Sequence, residues 1–245
     1  MNANYTWGRA MTNSSSLAEA TVQNPYNLRQ EWSRASIDLR HIFQLSYVYE
    51  LPFGHGRAYG GSANTVLNGV FGGWKFAASG IFYSGFPVTI FGPGNSNTNS
   101  WGFSRANQYR KMVVKNRSIS NWWGTDPSAL PCVPIPVVNP TGADNGVCAY
   151  GVAGSFQFGS ADNSTERAPD YRQVDMSLFK DFHVWEQQVV GFRADFFNAF
   201  NIVSYGNPDN SISDFSTNPL NNNWGRIGSV RSPERQVQLS LHYIF

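Results

Sequence analysis

Apolar and polar residues alternate with a period of two in several separate stretches of the chain, and the cleanest stretch is the last. In Gln236 to Phe245, Val237, Leu239, Leu241, Tyr243 and Phe245 fall on one face. Gln236, Gln238, Ser240 and His242 fall on the other, with Ile244 the exception. A period of two marks a strand with one apolar face. The same reading predicts strands at Gln187 to Asn201, Arg172 to Phe179, Trp74 to Ile90 and Ile37 to Leu51, and a weaker one at Asn2 to Arg9. In Ile37 to Leu51, Phe43, Leu45, Tyr47 and Tyr49 oppose Gln44, Ser46, Val48 and Glu50. Pro87 lies near the end of its segment, where a missing ladder donor is tolerated. A short helix is predicted at Ala63 to Val70.

The links between these strands alternate in length. Ala10 to Ser36, Phe91 to Tyr171 and Ile202 to Pro233 are long and rich in Asn, Ser, Asp, Gly and Pro. Pro52 to Gly73 is intermediate, and Lys180 to Glu186 is short. In an antiparallel meander, odd and even links emerge at opposite ends, so every long link falls at one end. Long extracellular loops and short periplasmic turns are the asymmetry of outer-membrane barrels. A soluble β-sandwich has no reason to sort its loops this way.

Composition agrees with strands joined by polar loops. Of 245 residues, 15% are aromatic and only 14% charged, and there are 23 Gly and 13 Pro. Disordered chains are poor in aromatics. Eighteen Lys and Arg against sixteen Asp and Glu give a net charge of +2, which makes no electrostatic case for a nucleic-acid partner. No stretch has the 18 or so apolar residues of a membrane helix. A barrel needs none, because only alternate residues meet lipid. Met1 to Ala10 carries no basic region followed by an apolar one, so no signal peptide is legible. Six strands also fall short of the smallest barrels, which have eight. An open sheet edge in lipid leaves backbone groups unpaired, at several kcal/mol each. The expectation is therefore a fragment of a longer chain, with Met1 not the natural start.

Candidate chemistry is sparse. Cys132 and Cys148 share the longest link, where a disulfide is permitted outside the cell; two free thiols are the alternative. The histidines His41, His55, His183 and His242 have no partner at metal-ligand spacing. Gly54-His-Gly-Arg lacks the Gly-Lys-Ser/Thr of a phosphate loop and reads as a turn. No nucleophile, base and orienter form a set, so the expectation is a non-enzyme with no cofactor and no metal. If the apolar faces meet lipid, Gln44, Glu50, Lys75, Asp175, Arg193, Asp195 and Gln238 point into the lumen, either as a structural network or in contact with a plug or substrate. Tyr49, Trp74, Trp185 and Tyr243, at strand ends, fit an interfacial aromatic girdle. Trp101, Trp122, Trp123 and Trp224 lie in the long links, either packed together or free to stack on a sugar.

Several blocks carry a family resemblance. Asp38-Leu-Arg-His-Ile-Phe leads to Tyr49-Glu-Leu-Pro-Phe-Gly-His-Gly. Gly72-Gly-Trp-Lys-Phe, Ser84-Gly-Phe-Pro-Val-Thr and Val174-Asp-Met-Ser-Leu-Phe-Lys-Asp-Phe follow. Gly191-Phe-Arg-Ala-Asp-Phe-Phe-Asn-Ala-Phe-Asn and Arg235-Gln-Val-Gln-Leu-Ser-Leu close the series. In that order, over most of 37 to 91 and 167 to 245, they resemble the C-terminal barrel of TonB-dependent receptors of the Oar-like type. The resemblance implies a barrel of about 22 strands around a plug. It also implies transport driven through the TonB complex and a terminal aromatic, Phe245, read by the barrel-assembly machinery.

The fold class expected is thus all-β: an antiparallel up-and-down transmembrane β-barrel. Residues 1–245 supply its C-terminal part of about six strands with long extracellular loops, and plug and N-terminal domains are absent. The function expected is uptake or export of a bulky solute such as an oligosaccharide, siderophore or peptide across the bacterial outer membrane. Its partners would be outer-membrane lipid, the missing strands and plug, the TonB complex and the assembly machinery. The alternative is a secreted soluble β-sandwich that binds carbohydrate through aromatic loops.

Overall fold

Alternating side chains build one antiparallel sheet. The computed structural model describes residues 1–13, 22–62, 64–93, 104–185 and 188–245, except the side chains of Thr65 and Trp185. Its long strands are β1 (Asn2–Trp7), β2 (His41–Glu50), β3 (Lys75–Tyr83), β4 (Tyr171–Trp185), β5 (Gln188–Phe197) and β6 (Gln236–Ile244). They hydrogen-bond in sequence order as a six-stranded meander. The sheet is open: β1 and β6 each pair on one side only. Among the described residues no helix is long and apolar enough to cross a membrane.

The elements follow the predicted segments, with most ends shifted by up to four residues and three larger differences. β4 continues to Trp185 and leaves only residues 186–187 as a link. Lys180 hid this continuation, because it places an ammonium among apolar residues. It is buried there between the rings of Trp74 and Phe182. The segment Trp74 to Ile90 splits into β3 and a two-residue strand Pro87–Val88, which pairs with Glu166–Arg167. Between them the chain passes so close to its neighbour that a Cβ on Gly85 would lie 1.7 Å from the Ala168 carbonyl oxygen. The helix α1 (Thr65–Phe71) begins later than predicted because Asn64 caps it, accepting the Leu67 amide at 2.8 Å. Residue 63, the predicted start, lies outside the described residues.

The described residues of links 8–40, 84–170 and 198–235 gather at one end of the sheet as a lobe, and the last two of these links share a core. Its contiguous buried cluster includes Ile90, Met112, Trp123, Tyr150, Ile212 and Trp224, and none of its members belongs to the six strands. Polar ties join link 8–40 to link 84–170. Arg105 pairs with Glu31 at 2.6 Å with both side chains almost fully buried, and Asn163 donates to the same carboxylate at 3.2 Å. Arg167 pairs with Asp38 at 2.6 Å. Cys132 and Cys148 are joined by a disulfide with Cα atoms 5.7 Å apart. Closing a loop of that size contributes about 3 kcal/mol in the chain-entropy account.

The buried pair yields a mutational prediction. Arg105→Met leaves Glu31 desolvated and unpaired, which is expected to cost the lobe about 3–5 kcal/mol. The double variant Glu31→Leu/Arg105→Met is expected to recover most of that loss, because neither charge then remains buried alone. Thermal unfolding followed by tryptophan fluorescence checks the order of the three proteins.

Candidate functional site

Register sorts the side chains of all six strands into two faces. Partners Asn4, Gln44, Ile81 and Gln173 run across one face of β1 to β4, and Ser177, Asp195 and Gln238 continue it across β4 to β6. Glu50 stands opposite Lys75, Asp175 opposite Ser79, and Arg193 opposite Ser240. Gln44, Glu50, Lys75, Asp175, Arg193, Asp195 and Gln238 therefore all share this polar face.

Most of these groups are already engaged. Asp195 accepts from Arg193 Nε at 2.8 Å and from the Ser177 hydroxyl. Asp175 accepts the Asn198 amide at 2.8 Å and Gln173 Nε2 at 3.1 Å. The Tyr171 hydroxyl in turn donates to Gln173. Glu50 pairs with Arg57 at 2.6 Å in preference to its cross-strand neighbour Lys75. Asn2, Asn4, Gln44, Ser46, Ser79, Gln173 and Asp175 line a shallow cleft of about 290 Å³ on this face. A wall of amides, hydroxyls and paired charges suits water and polar solutes.

The opposite face carries Tyr5, Phe43, Leu45, Tyr47, Tyr49, Phe76, Phe82, Met176, Leu178, Phe192, Leu239 and Tyr243. Its outer strands stand exposed, with Tyr5 at 62%, Leu239 at 67% and Leu241 at 72%, while Phe76, Met176 and Leu178 in the middle are half-buried among their neighbours. No second sheet of the described residues covers it. A contiguous exposed apolar surface of this size demands a partner or a lipid solvent. Of the girdle candidates, Tyr49, Trp74 and Tyr243 lie on this face, and Trp185 has no described side chain.

An apolar sheet face left bare over a polar one is the arrangement of an outer-membrane barrel wall. The profile of a family described as outer membrane beta barrel domain matches residues 1–238. The chain belongs to that family. It is an outer-membrane protein, as the alternation of strands and links predicts. No curated protein and no solved structure matches it.

The long-link tryptophans are structural in this outer-membrane protein. Trp123 and Trp224 are buried with ring centroids 5.6 Å apart. Their indole N–H groups donate to the Asp209 and Ala129 carbonyls. Trp122 donates to the Arg167 carbonyl and lies under the Arg117 guanidinium. Of the two alternatives the sequence left open, packing within the lobe is the one taken by Trp123 and Trp224, and the Trp122 donor is likewise used there. Trp101 lies outside the described residues. Cys132, Asp144 and Cys148 place potential ligand atoms within 4.8 Å of one another, but the disulfide removes both thiolates. Asp144 meanwhile pairs with Arg110 at 2.8 Å.

Two further features carry no periodic signal in the sequence. Lys180 is one. The other is Arg231, held by the rings of Tyr83, Phe86 and Tyr171 with Nη2 donating to the Tyr83 hydroxyl at 2.8 Å. The arginine clamps the last long link to the end of β3 and β4. Neither could be found from spacing, since each depends on distant chain segments meeting.

Carboxylates of the lobe give it opposed pH responses. Burial and the neighbouring Asp214 push Asp209 up from 3.8 to about 6. The Lys115 ammonium, with the Ser128 amide and hydroxyl, holds Asp126 down at about 2. Burial raises Asp38, but the Ala10 amide and Arg167 outweigh it and hold it below the ordinary value. A raised carboxylate favours the folded state in its protonated form. Its contribution is complete below 3.8 and is lost as pH rises through about 6. The depressed pair contributes above the ordinary carboxylate range and is lost as pH falls below it. The lobe's melting temperature is therefore expected to fall between pH 5 and 7 by roughly a few degrees. Asp214→Asn is expected to flatten that slope, and a pH series of melting curves on both proteins checks it.

Proposed function

We propose that the chain is part of the barrel of a TonB-dependent transporter, with further strands and a plug supplied by the rest of the assembled protein. It moves a bulky solute such as an oligosaccharide, siderophore or peptide. The observation that carries the reading is the two-faced sheet, bare and apolar on one side and amide- and charge-lined on the other. In this reading the apolar face meets lipid and the polar face meets a water-filled lumen. The long links lie outside the cell, and the short links with Phe245 lie toward the periplasm.

The ordered sequence blocks support the receptor type, and the packed lobe supports a built outer vestibule. A passive pore needs no such lobe, whereas a receptor that captures scarce solute gains from a preorganised surface. The role proposed is transport, with no catalytic step. The partners proposed are lipid, the plug, the TonB complex and the machinery that inserts barrels.

Face assignment and transport are tested separately. Cysteines placed at Gln44, Ser240 and Gln238 are expected to react with a water-soluble maleimide in outer-membrane vesicles. Those at Leu239 and Leu241 are expected to resist it and to be quenched by lipid-borne quenchers. The reverse pattern would remove the lumen reading. For transport, a strain lacking the gene is expected to lose uptake of one bulky solute class. Uptake by the parent strain is expected to stop when a protonophore collapses the proton-motive force. Uptake that persists under the protonophore would point to a passive channel.

A further inference from the structure

The link between β2 and β3 contains the Gly54-His-Gly-Arg turn and α1, neither of which the transport reading uses. Both are built onto the sheet. His55 N–H donates to Asn68 Oδ1 at 2.6 Å, and the His55 ring bonds the Gly61 carbonyl at 2.8 Å. Gly54 has φ +115°, and a Cβ there would meet Gly72 Cα at 2.7 Å, so only glycine lets the turn touch the end of the helix.

The side of the sheet on which α1 lies is set by two contacts. Trp74 Nε1 donates to the Val70 carbonyl at 2.8 Å. The Lys180 ammonium donates to the Gly69 carbonyl and sits over the Trp74 and Phe182 rings. The Trp74 ring meets Phe182 and Phe192 edge-on, and both of those belong to the apolar face. The helix therefore lies over the apolar face at the end carrying the short links. Its own outward side chains are apolar: Val66 at 74%, Leu67 at 48%, Val70 at 51% and Phe71 at 64% exposure. A soluble loop has no reason to turn four such residues outward. Lys180 explains itself in the same terms, as a cation on an apolar face brought under a helix that supplies its acceptor.

Beside the helix is a cleft of about 560 Å³ lined by Phe53, His55, Arg57, Lys75, Lys180 and His183 among others. Asp181 is its one acidic lining residue, and Glu50 neutralises part of Arg57 from outside. The cleft runs round the ends of the strands, so that Lys75 of the polar face and Lys180 of the apolar face both line it, and cations outnumber acids next to an exposed apolar helix.

We propose that α1 and this cleft bind an anionic phospholipid of the periplasmic leaflet. The apolar side chains of α1 lie among the acyl chains, and the headgroup phosphate lies by Arg57 and Lys75. A cationic rim above an apolar face fits the phosphate-over-acyl order of that molecule. The inference rests on the membrane placement and on the sidedness given above, and not on transport.

The test uses the full-length protein in its own outer membrane. The two cysteines of residues 1–245 are already paired, and with any others of the full-length protein replaced by serine, single cysteines at Val66 and Phe71 take a bimane label cleanly. Both labels are expected to emit in the blue and to be quenched several-fold more by brominated lipid than by aqueous iodide. A label at Tyr59, exposed in the same link, is expected to show the opposite order. Iodide quenching at Val66 and Phe71 would overturn the proposal. So would blue emission indifferent to brominated lipid, which means that a protein covers the helix. In intact cells an impermeant maleimide is expected to leave Phe71→Cys unlabelled; labelling there would put the helix on the wrong side of the membrane. For the headgroup, the purified protein is expected to melt at higher temperature in phosphatidylglycerol nanodiscs than in phosphatidylcholine ones. Arg57→Gln/Lys75→Gln is expected to abolish that difference, whatever shift the loss of the Arg57–Glu50 pair brings to both melts. A difference that survives the double substitution would overturn the assignment of the phosphate to the cleft. None of these readings depends on solute uptake, so they stand or fall apart from the transporter assignment.

Discussion

Lateral backbone pairing within a single sheet is the constraint on which the rest of this structure depends. In hydrocarbon each unpaired N–H or C=O costs several kcal/mol, so a membrane-spanning chain must satisfy them within its own helix or within a sheet. The meander does this for β2 to β5 on both sides and for β1 and β6 on one side each. Because the backbone pairs sideways, the two faces are left free to differ. One is bare and apolar, and the other carries the amides and charges. No buried core is needed between sheets, and the six strands contribute nothing to the contiguous buried cluster.

Stability of the conventional kind is displaced into the long links. Two segments far apart in sequence pack around Trp123, Tyr150 and Trp224, the first long link is tied to them by Glu31–Arg105 and Asp38–Arg167, and the Cys132–Cys148 bond braces the second link within itself. Two short strand pairs, Met11–Thr12 with Ser33–Arg34 and Pro87–Val88 with Glu166–Arg167, carry the hairpin ladders out of the sheet and into this lobe. The lobe is therefore not a set of independent loops, and its surface is presented on a rigid base. At the opposite end the links are shorter: β4 and β5 are separated by two residues of sequence, and α1 is folded back onto the apolar face.

Where the sequence was legible, the reason was periodicity. Val237, Leu239 and Leu241 against Gln238 and Ser240 announce a strand with two unlike faces, and the same rule put all seven lumen candidates on one face. It failed at Lys180, where the period-two rule assigns a charge to the apolar side and the segment appears to stop. It was also silent on Trp123 and Trp224, which aromatic composition alone leaves free either to pack or to bind. The choice between those outcomes depends on whether the Asp209 and Ala129 carbonyls arrive within reach of the indole N–H groups, and that depends on two long links folding together.

By itself the sequence determined the number and order of long strands, the sorting of long and short links to opposite ends, and the polarity of each face. All of these follow from local alternation and from counting, which require no knowledge of distant contacts. Only the tertiary structure decided that two of the long links share one core, that Arg105 meets Glu31 at a separation of 74 residues, and that α1 roofs Lys180 on the apolar side. Those facts rest on pairs of groups brought together by the register of six strands, and a one-residue slip in that register would exchange the two faces and undo every one of them.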